Sequence, residues 1–177
     1  KLTQADHDSN VQPWVLAAQR AGCDIRYMTV REDGSLDVDA LETLVDENTR
    51  LIACGLASNG TGTIHDCQRV STLKKNALTF FDGVHYAPHN LIDVKTLDAD
   101  FVVVSPYKFF GPHCGALFGK RDLLASLSPD KLRVSDDGLP RDESCYLSRW
   151  ELGTPSFEAL SGAAAAVDYL AALGDRF

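Results

Sequence analysis

The chain has 177 residues, of which 45% are hydrophobic and 24% are charged, and its formal net charge is −8. This length and composition predict one globular domain with a sizeable core. The negative charge argues against a nucleic-acid partner or an anionic membrane surface, and the apolar runs are too short to span a bilayer.

The first half of the chain alternates between helical and extended patterns. The predicted elements, in chain order, are a helix over 10–22, a strand over 24–30, a helix over 37–46, a strand over 49–58 and a helix over 63–77. The strand over 49–58 is almost continuously apolar, which is typical of a strand covered on both faces. In the last helix, Lys74 and Lys75 are predicted to face solvent.

The second half continues this alternation. Its predicted elements are strands over 77–82, 98–105 and 114–120 and helices over 121–127 and 156–173. Residues 129–150 are polar, rich in Asp, Arg and Pro, and without a clear period, so we predict a long functional loop there. The whole pattern predicts an α/β fold with a mostly parallel sheet flanked by helices.

The cysteines carry little functional information. There are five, at positions 23, 54, 67, 114 and 145, and they form no CxxC pair. An odd number without such a pair predicts reduced, mostly buried thiols in a cytoplasmic protein. We predict no metal site.

Polar residues follow three of the predicted strands at the point where each strand ends. Asn59 follows the strand over 49–58. Asp82 ends the strand over 77–82 and His85 follows it, and Ser105 ends the strand over 98–105 and Lys108 follows it. In parallel sheets, ligands collect at the carboxyl ends of the strands. We therefore expect these five side chains to line one crevice.

Each of these residues also has a structural interpretation when it is taken alone. The glycines around Asn59 do not fit GxGxxG and suit a turn, Asp82 suits a helix N-cap, and Lys108 suits a solvated loop. Together, an acid and a lysine that directly follow buried strands suit pyridoxal phosphate. That cofactor needs a lysine for its Schiff base and a carboxylate that keeps the pyridine nitrogen protonated.

Four segments of the chain resemble the class V aminotransferase family of pyridoxal phosphate enzymes, the group that includes the cysteine desulfurases. The most similar segment is FFDGVHYAPHNLIDVKTLDADFVVVSPYKFFGPHCGALFGKRDLL, over residues 80–124. The others are DHDSNVQPW, DENTRLIACGLASNGTGT and WELGTPSFEALSGAAAAVDYL. The resemblance implies the large domain of fold-type I enzymes, with residues 1–177 as its central part. The N-terminal segment and the C-terminal small domain would lie outside this chain.

The resemblance also implies roles around the cofactor ring. His7 would stack on the pyridine ring and act in catalysis, and Asp82 would pair with the ring nitrogen. Asn59 and His85 would lie near the phenolic oxygen of the ring. Lys108 would form the Schiff base and, once released, would move protons at the substrate Cα.

Further residues are implied at the cofactor phosphate. Ser105 would bind the phosphate, and Thr154 would reach it from the other subunit of a homodimer. Tyr107 stands where many family members have His, so its phosphate contact departs from the family pattern. Asp6 replaces the usual Glu before His7.

The function implied is that of a cysteine desulfurase-like transferase or lyase whose small-molecule substrate is an amino acid. Neither Cys114 nor Cys145 is predicted to be the nucleophile, because the family's mobile cysteine lies well beyond the lysine. Two alternatives remain open. One is another class V enzyme, kynureninase-like or epimerase-like. The other is a doubly wound phosphate-binding or receiver-like module that uses Asp82 and Lys108 without pyridoxal phosphate.

Overall fold

The computed structural model describes residues 1–130 and 150–174, which contain six short strands. In chain order the strands are β1 (Leu2–Thr3), β2 (Tyr27–Met28), β3 (Leu51–Gly55), β4 (Leu78–Asp82), β5 (Phe101–Val104) and β6 (Ala116–Gly119). Strands β3, β4 and β5 are parallel, and β6 pairs antiparallel with β5. Strands β1 and β2 form a parallel pair. The backbone N–H of Ala53 donates to the Lys1 carbonyl at 2.9 Å, so β1 lies beside β3.

The strand order across the molecule is therefore β2-β1-β3-β4-β5-β6. Successive strands are added to one side from β1 to β2 and to the other side from β3 to β6, so the strand order reverses between β1 and β3. The helices are α1 (Gln12–Ala21), α2 (Leu41–Leu44), α3 (Cys67–Leu73), α4 (Arg121–Ser126) and α5 (Phe157–Gly174). The predicted α/β class with a mostly parallel sheet is confirmed. None of the helices within 1–130 and 150–174 has the length and apolar character needed to cross a membrane. The predicted loop over 129–150 falls almost entirely outside the described residues.

Several elements are shorter than their sequence patterns predict. Helix α3 begins at Cys67 because the Asp66 side chain accepts from the backbone N–H of Arg69 at 2.9 Å and caps the helix. The residues before it turn back through an antiparallel bridge between Ala57 and Ile64. The predicted helix over 37–46 becomes a 3₁₀ turn followed by α2.

The core lies where α2 and α3 pack against the sheet. Its largest fully buried side chains include Met28, Leu41, Ile52, Val70 and Phe81, from β2, α2, β3, α3 and β4 respectively. All of β3 after its first residue is buried, as expected for a strand covered on both faces. This rigid centre fixes the positions at which the parallel strands end.

A buried aspartate joins four elements at the amino end of β5. Asp100 accepts hydrogen bonds from the backbone N–H of Thr79 at 2.9 Å, from Lys74 Nζ at 2.9 Å and from Lys120 Nζ at 2.8 Å. The prediction that Lys74 faces solvent is wrong: its side chain is only 14% exposed, because it turns inward to this carboxylate. Lys75 does remain exposed.

The pKa of Asp100 reflects this pairing. Burial alone would raise the pKa, but hydrogen bonds from Lys120, from the Thr79 backbone and from Lys74 outweigh burial and hold the pKa below its usual value. Because the folded-state pKa is depressed, the carboxylate stabilises the fold above the ordinary pKa of an aspartate. This contribution is lost as the pH falls through the folded-state pKa.

We expect Asp100→Asn to lower the free energy of unfolding at pH 7 by about 2 kcal/mol, because one lysine would face an amide N–H₂ group. The matched control is Asp98→Asn. Asp98 pairs with the same two lysines but is 62% exposed, and we expect a loss below about 1 kcal/mol. Urea denaturation measures both values, and equal losses would contradict the central role of Asp100. The effect of Asp100→Asn should shrink as the solution is acidified.

Candidate functional site

A crevice of about 130 Å³ lies at the carboxyl ends of β1, β3, β4 and β5. It is next to the point between β1 and β3 where the strand order changes direction, which is the usual ligand position in an open parallel sheet. Its lining residues are Asp6, His7, Ser9, Gly55, Ala57, Asn59, Asp82, Val84, His85, Ser105, Tyr107 and Lys108. The structure thus brings seven of the eight predicted site residues together. Thr154 does not line this crevice.

Asp82 is the last residue of β4, and its backbone is held on both sides. Its carbonyl accepts from the N–H of Leu56, and the N–H of Gly83 donates to the carbonyl of Val103, both at 2.8 Å. The Asp82 carboxylate accepts from the N–H of Val84 at 2.8 Å. A turn rather than a helix follows Asp82, so the helix N-cap interpretation does not hold.

His7 precedes the 3₁₀ turn Asp8–Asn10 and caps it. Its Nδ1 accepts from the backbone N–H of Ser9 at 3.2 Å and lies 2.8 Å from the Ser9 hydroxyl oxygen. A nitrogen that accepts from a backbone N–H carries no proton, so the neutral imidazole has its proton on Nε2. The turn therefore fixes both the ring and its tautomer at the edge of the crevice.

Lys108 lies in the 3₁₀ turn Pro106–Phe109, which follows β5 directly. Its backbone N–H donates to the Ser105 carbonyl at 3.1 Å, and its Nζ is 6.0 Å from the centroid of the Tyr107 ring. Tyr107 in turn stacks on His113, with ring centroids 4.9 Å apart.

Asp6 is a lining residue that sequence reasoning did not select. It directly precedes His7, and its Oδ1 accepts from the backbone N–H of Gly55 at 2.5 Å. Burial, together with a smaller effect of the Asp82 charge, raises the pKa of Asp6 to about 6 despite opposing hydrogen bonds. The position of Asp6 directly before His7 could have indicated a role in the site. Its hydrogen bond to Gly55 could not be predicted from a local sequence pattern, because the two residues are 49 positions apart.

Two buried thiols, that of Cys54 in β3 and that of Cys67 at the start of α3, do not line the crevice. The sulfurs of Cys54 and Cys67 are 3.7 Å apart, and His65 Nδ1 is 2.8 Å from the Gly55 carbonyl oxygen. The interaction with Cys67, together with burial, raises the pKa of the Cys54 thiol well above its usual value, so it remains protonated. Among residues 1–130 and 150–174, no cysteine lines the crevice.

The chain matches known proteins along nearly its whole length. Residues 1–176 match the family described as aminotransferase class-V. The chain is 37% identical to a cysteine desulfurase from Pectobacterium atrosepticum and 34% identical to one from Escherichia coli. Each match covers 98% of this chain but only 44% or 45% of the relative.

Solved structures of cysteine desulfurases also match this chain along nearly its whole length. The cysteine desulfurase CsdA from Escherichia coli superimposes with a TM-score of 0.85 at 30% identity, over 96% of this chain and 44% of that chain. The apo cysteine desulfurase from Thermococcus onnurineus NA1 has a TM-score of 0.84 at 26% identity, over 98% of this chain and 45% of that chain. The chain thus spans less than half the length of these relatives.

The turn after Lys108 should depend on Gly111. A Cβ there would lie 2.7 Å from the Cβ of Pro106 and 3.0 Å from the Pro106 carbonyl oxygen. We expect Gly111→Ala to lower the free energy of unfolding by about 1–3 kcal/mol through overpacking. At Gly115, no heavy atom lies within 4 Å of the point that a Cβ would occupy, so Gly115→Ala should change stability by less than about 0.5 kcal/mol in urea denaturation. Equal effects would show that this turn tolerates a side chain.

Proposed function

Because the chain belongs to the aminotransferase class-V family, we propose that it forms the cofactor-binding centre of a pyridoxal phosphate enzyme that acts on an amino acid. The observation that carries this proposal is the placement of Asp82 and Lys108. Asp82 ends β4, Lys108 lies just beyond the neighbouring parallel strand β5, and both line one crevice. A carboxylate and an amine at adjacent strand ends are the two groups that this cofactor requires.

The other crevice residues fit the same cofactor. In this proposal, His7 packs its imidazole on the pyridine ring and Asp82 pairs with the ring nitrogen. Asn59 and His85 lie near the phenolic oxygen. The fixed turn at His7 suits ring stacking because it holds the imidazole in one orientation.

The remaining residues are proposed to attach the cofactor and to bind its phosphate. Lys108 would hold the cofactor through its amine, as a Schiff base with the aldehyde, and Ser105 would hold the phosphate through its hydroxyl. Tyr107 lies where a phosphate contact is expected and also stacks on His113. When bound, the cofactor supplies an electron sink for bond breaking beside the substrate Cα. Lys108, once displaced by substrate, is placed to move protons at that carbon.

The reaction we propose is that of a cysteine desulfurase-like transferase or lyase, since the similar proteins are cysteine desulfurases. None of the described cysteines lines the crevice. The part of the reaction that we assign to this chain is therefore the activation of the amino acid at Cα. The pattern of cysteines favours a cytoplasmic location.

We also propose a homodimer in which Thr154 serves the neighbouring subunit. Thr154 is exposed and lies outside the crevice of its own chain. Large apolar side chains nearby are also exposed, including Leu152, Phe157 and Leu160. An isologous dimer would bury these residues and complete both crevices with the same segment.

The first test maps the cofactor lysine in the natural full-length protein. We expect borohydride reduction of the holoprotein to leave a pyridoxyl group on the peptide that contains Lys108. Lys108→Ala should give no reduced label there and should lose the yellow colour of the linked cofactor. A label on another lysine would refute the assignment of Lys108. A protein that never takes up the cofactor would favour a phosphate-binding module without it.

The second test mixes two defective subunits. Lys108→Ala removes the amine, and Thr154→Asp places a negative charge against the phosphate of the neighbouring site. After mixed refolding, half of the dimers are expected to be mixed, and one site in each mixed dimer is intact. Sulfide release from cysteine should then recover to about a quarter of the wild-type rate. The unmixed variants are the controls, and no recovery from verified mixed dimers would place Thr154 elsewhere.

A further inference from the structure

The carboxylate of Asp6 has no role in the function proposed above, yet it joins two strands at the crevice. Asp6 follows β1 and directly precedes His7. Its Oδ1 accepts from the N–H of Gly55, the last residue of β3, and its Oδ2 lies 3.4 Å from the donor Nδ2 of Asn10. Asp6 therefore connects the loop that carries His7 to the strand on the other side of the point where the strand order reverses.

The surroundings of Asp6 suit an ionised carboxylate. Its partners are the Gly55 N–H, the Asn10 amide and the Thr3 hydroxyl, and all three can donate. Asn10 is held with its N–H₂ group toward Asp6, because Trp14 Nε1 donates to the Asn10 Oδ1 at 3.1 Å. A Cβ on Gly55 would lie 2.6 Å from the Asp6 Oδ1, so this close approach requires a glycine.

The same carboxylate destabilises the folded chain at neutral pH. Its pKa rises from 3.8 to about 6, chiefly through burial. Because the folded-state pKa lies above the unfolded-state pKa, the penalty is fully present above the folded-state pKa. It disappears as the pH falls to the unfolded-state pKa. An asparagine has the same shape and carries no charge, but its N–H₂ group would face the Asn10 N–H₂ group where the carboxylate accepts a hydrogen bond. The charge of Asp6 thus costs stability at neutral pH although its oxygens match their donors, as is common for residues at functional sites.

We propose that Asp6 is a positioning residue of the crevice, whose charged carboxylate holds the His7 loop on Gly55 and adds a second negative charge beside Asp82. Two carboxylates in one crevice favour a ligand with a cationic group. The identity of that ligand rests on the proposed function, in which the cationic group is the protonated ring of pyridoxal phosphate.

Other titratable groups surround Asp6 on several elements. Those that line the crevice with it are His7, Asp82, His85, Tyr107 and Lys108, and those behind Gly55 are Cys54, His65 and Cys67. A pH profile of the wild-type protein alone would mix their contributions with that of Asp6. Variants that change only position 6 are needed to isolate its contribution.

Two substitutions separate charge from shape. Asp6→Asn keeps the shape and removes the charge, whereas Asp6→Glu keeps the charge and changes the shape. Glu32→Gln is the control, because it removes one negative charge from an exposed turn. All three are compared with wild type in the natural full-length protein.

The first measurement is urea denaturation of the cofactor-free protein from pH 4 to pH 8. We expect the unfolding equilibrium constant of Asp6→Asn, relative to that of wild type, to fall by about tenfold or more between pH 4 and pH 8, because only wild type has to ionise Asp6. Glu32→Gln should show no such pH-dependent gain. If the stability of Asp6→Asn relative to wild type does not change between pH 4 and pH 8, the folded chain holds no costly charge at Asp6 and the proposal is overturned.

The second measurement is an absorbance titration with pyridoxal phosphate at pH 7.5. We expect Asp6→Asn to weaken the affinity by about tenfold and Asp6→Glu to retain affinity within about threefold of wild type. Unchanged affinity in Asp6→Asn would overturn the proposal, because the site would then make no use of the charge.

A third measurement needs no cofactor and so separates this proposal from the proposed function. Amide hydrogen exchange of Gly55 should be about tenfold faster in folded Asp6→Ala than in wild type, because the N–H loses its acceptor. If wild type fails to bind pyridoxal phosphate, the proposed function fails, and this exchange rate then decides the role of Asp6. Equal exchange rates would overturn the role of Asp6 as well.

Discussion

The parallel register of β3, β4 and β5 is the constraint on which the crevice depends. Gly55 pairs with Asp82, and Asp82 pairs with Val103, so three chain segments end at one level. Parallel strands place the residues that follow them at the same edge of the sheet. Side chains that are far apart in sequence therefore meet without any loop having to fold back over the core.

Two aspartates, the buried Asp100 and the half-buried Asp6, show how differently charge is stabilised at the two edges of this sheet. Asp100, at the amino end of β5, is paired with two lysines, and its pKa is depressed. Asp6, beyond the carboxyl end of β1, is surrounded by neutral donors and another carboxylate, and its pKa is raised. The first edge uses its charge to hold the sheet together, whereas the second keeps a charge that weakens the fold. Such a division is expected where one edge is structural and the other binds a ligand.

The sequence allowed the fold class, the family and the gathering of strand-end residues to be predicted, and these predictions are confirmed. Apolar runs mark buried strands, and the residue after each run marks the shared edge, as Asp82 and Ser105 illustrate. Sequence patterns failed where a partner lies far along the chain. Lys74 was wrongly placed in solvent because its acceptor, Asp100, is 26 residues away. Asp6 was noted but given no role in the site, because its contact with Gly55 spans 49 residues of chain. The cross-subunit role of Thr154 stays a prediction.

The way β4 ends has a consequence for how this site can diversify. The peptide group that follows Asp82 is hydrogen-bonded on both sides, to the N–H of Leu56 and to the carbonyl of Val103, so neighbouring segments hold the backbone there independently of the side chain. The side chain of a different residue at position 82 would therefore start from the same point of the backbone and leave it in the same direction. Evolution can therefore exchange chemistry at the sheet edge by single substitutions without first rebuilding the scaffold, which helps one architecture to support many reactions.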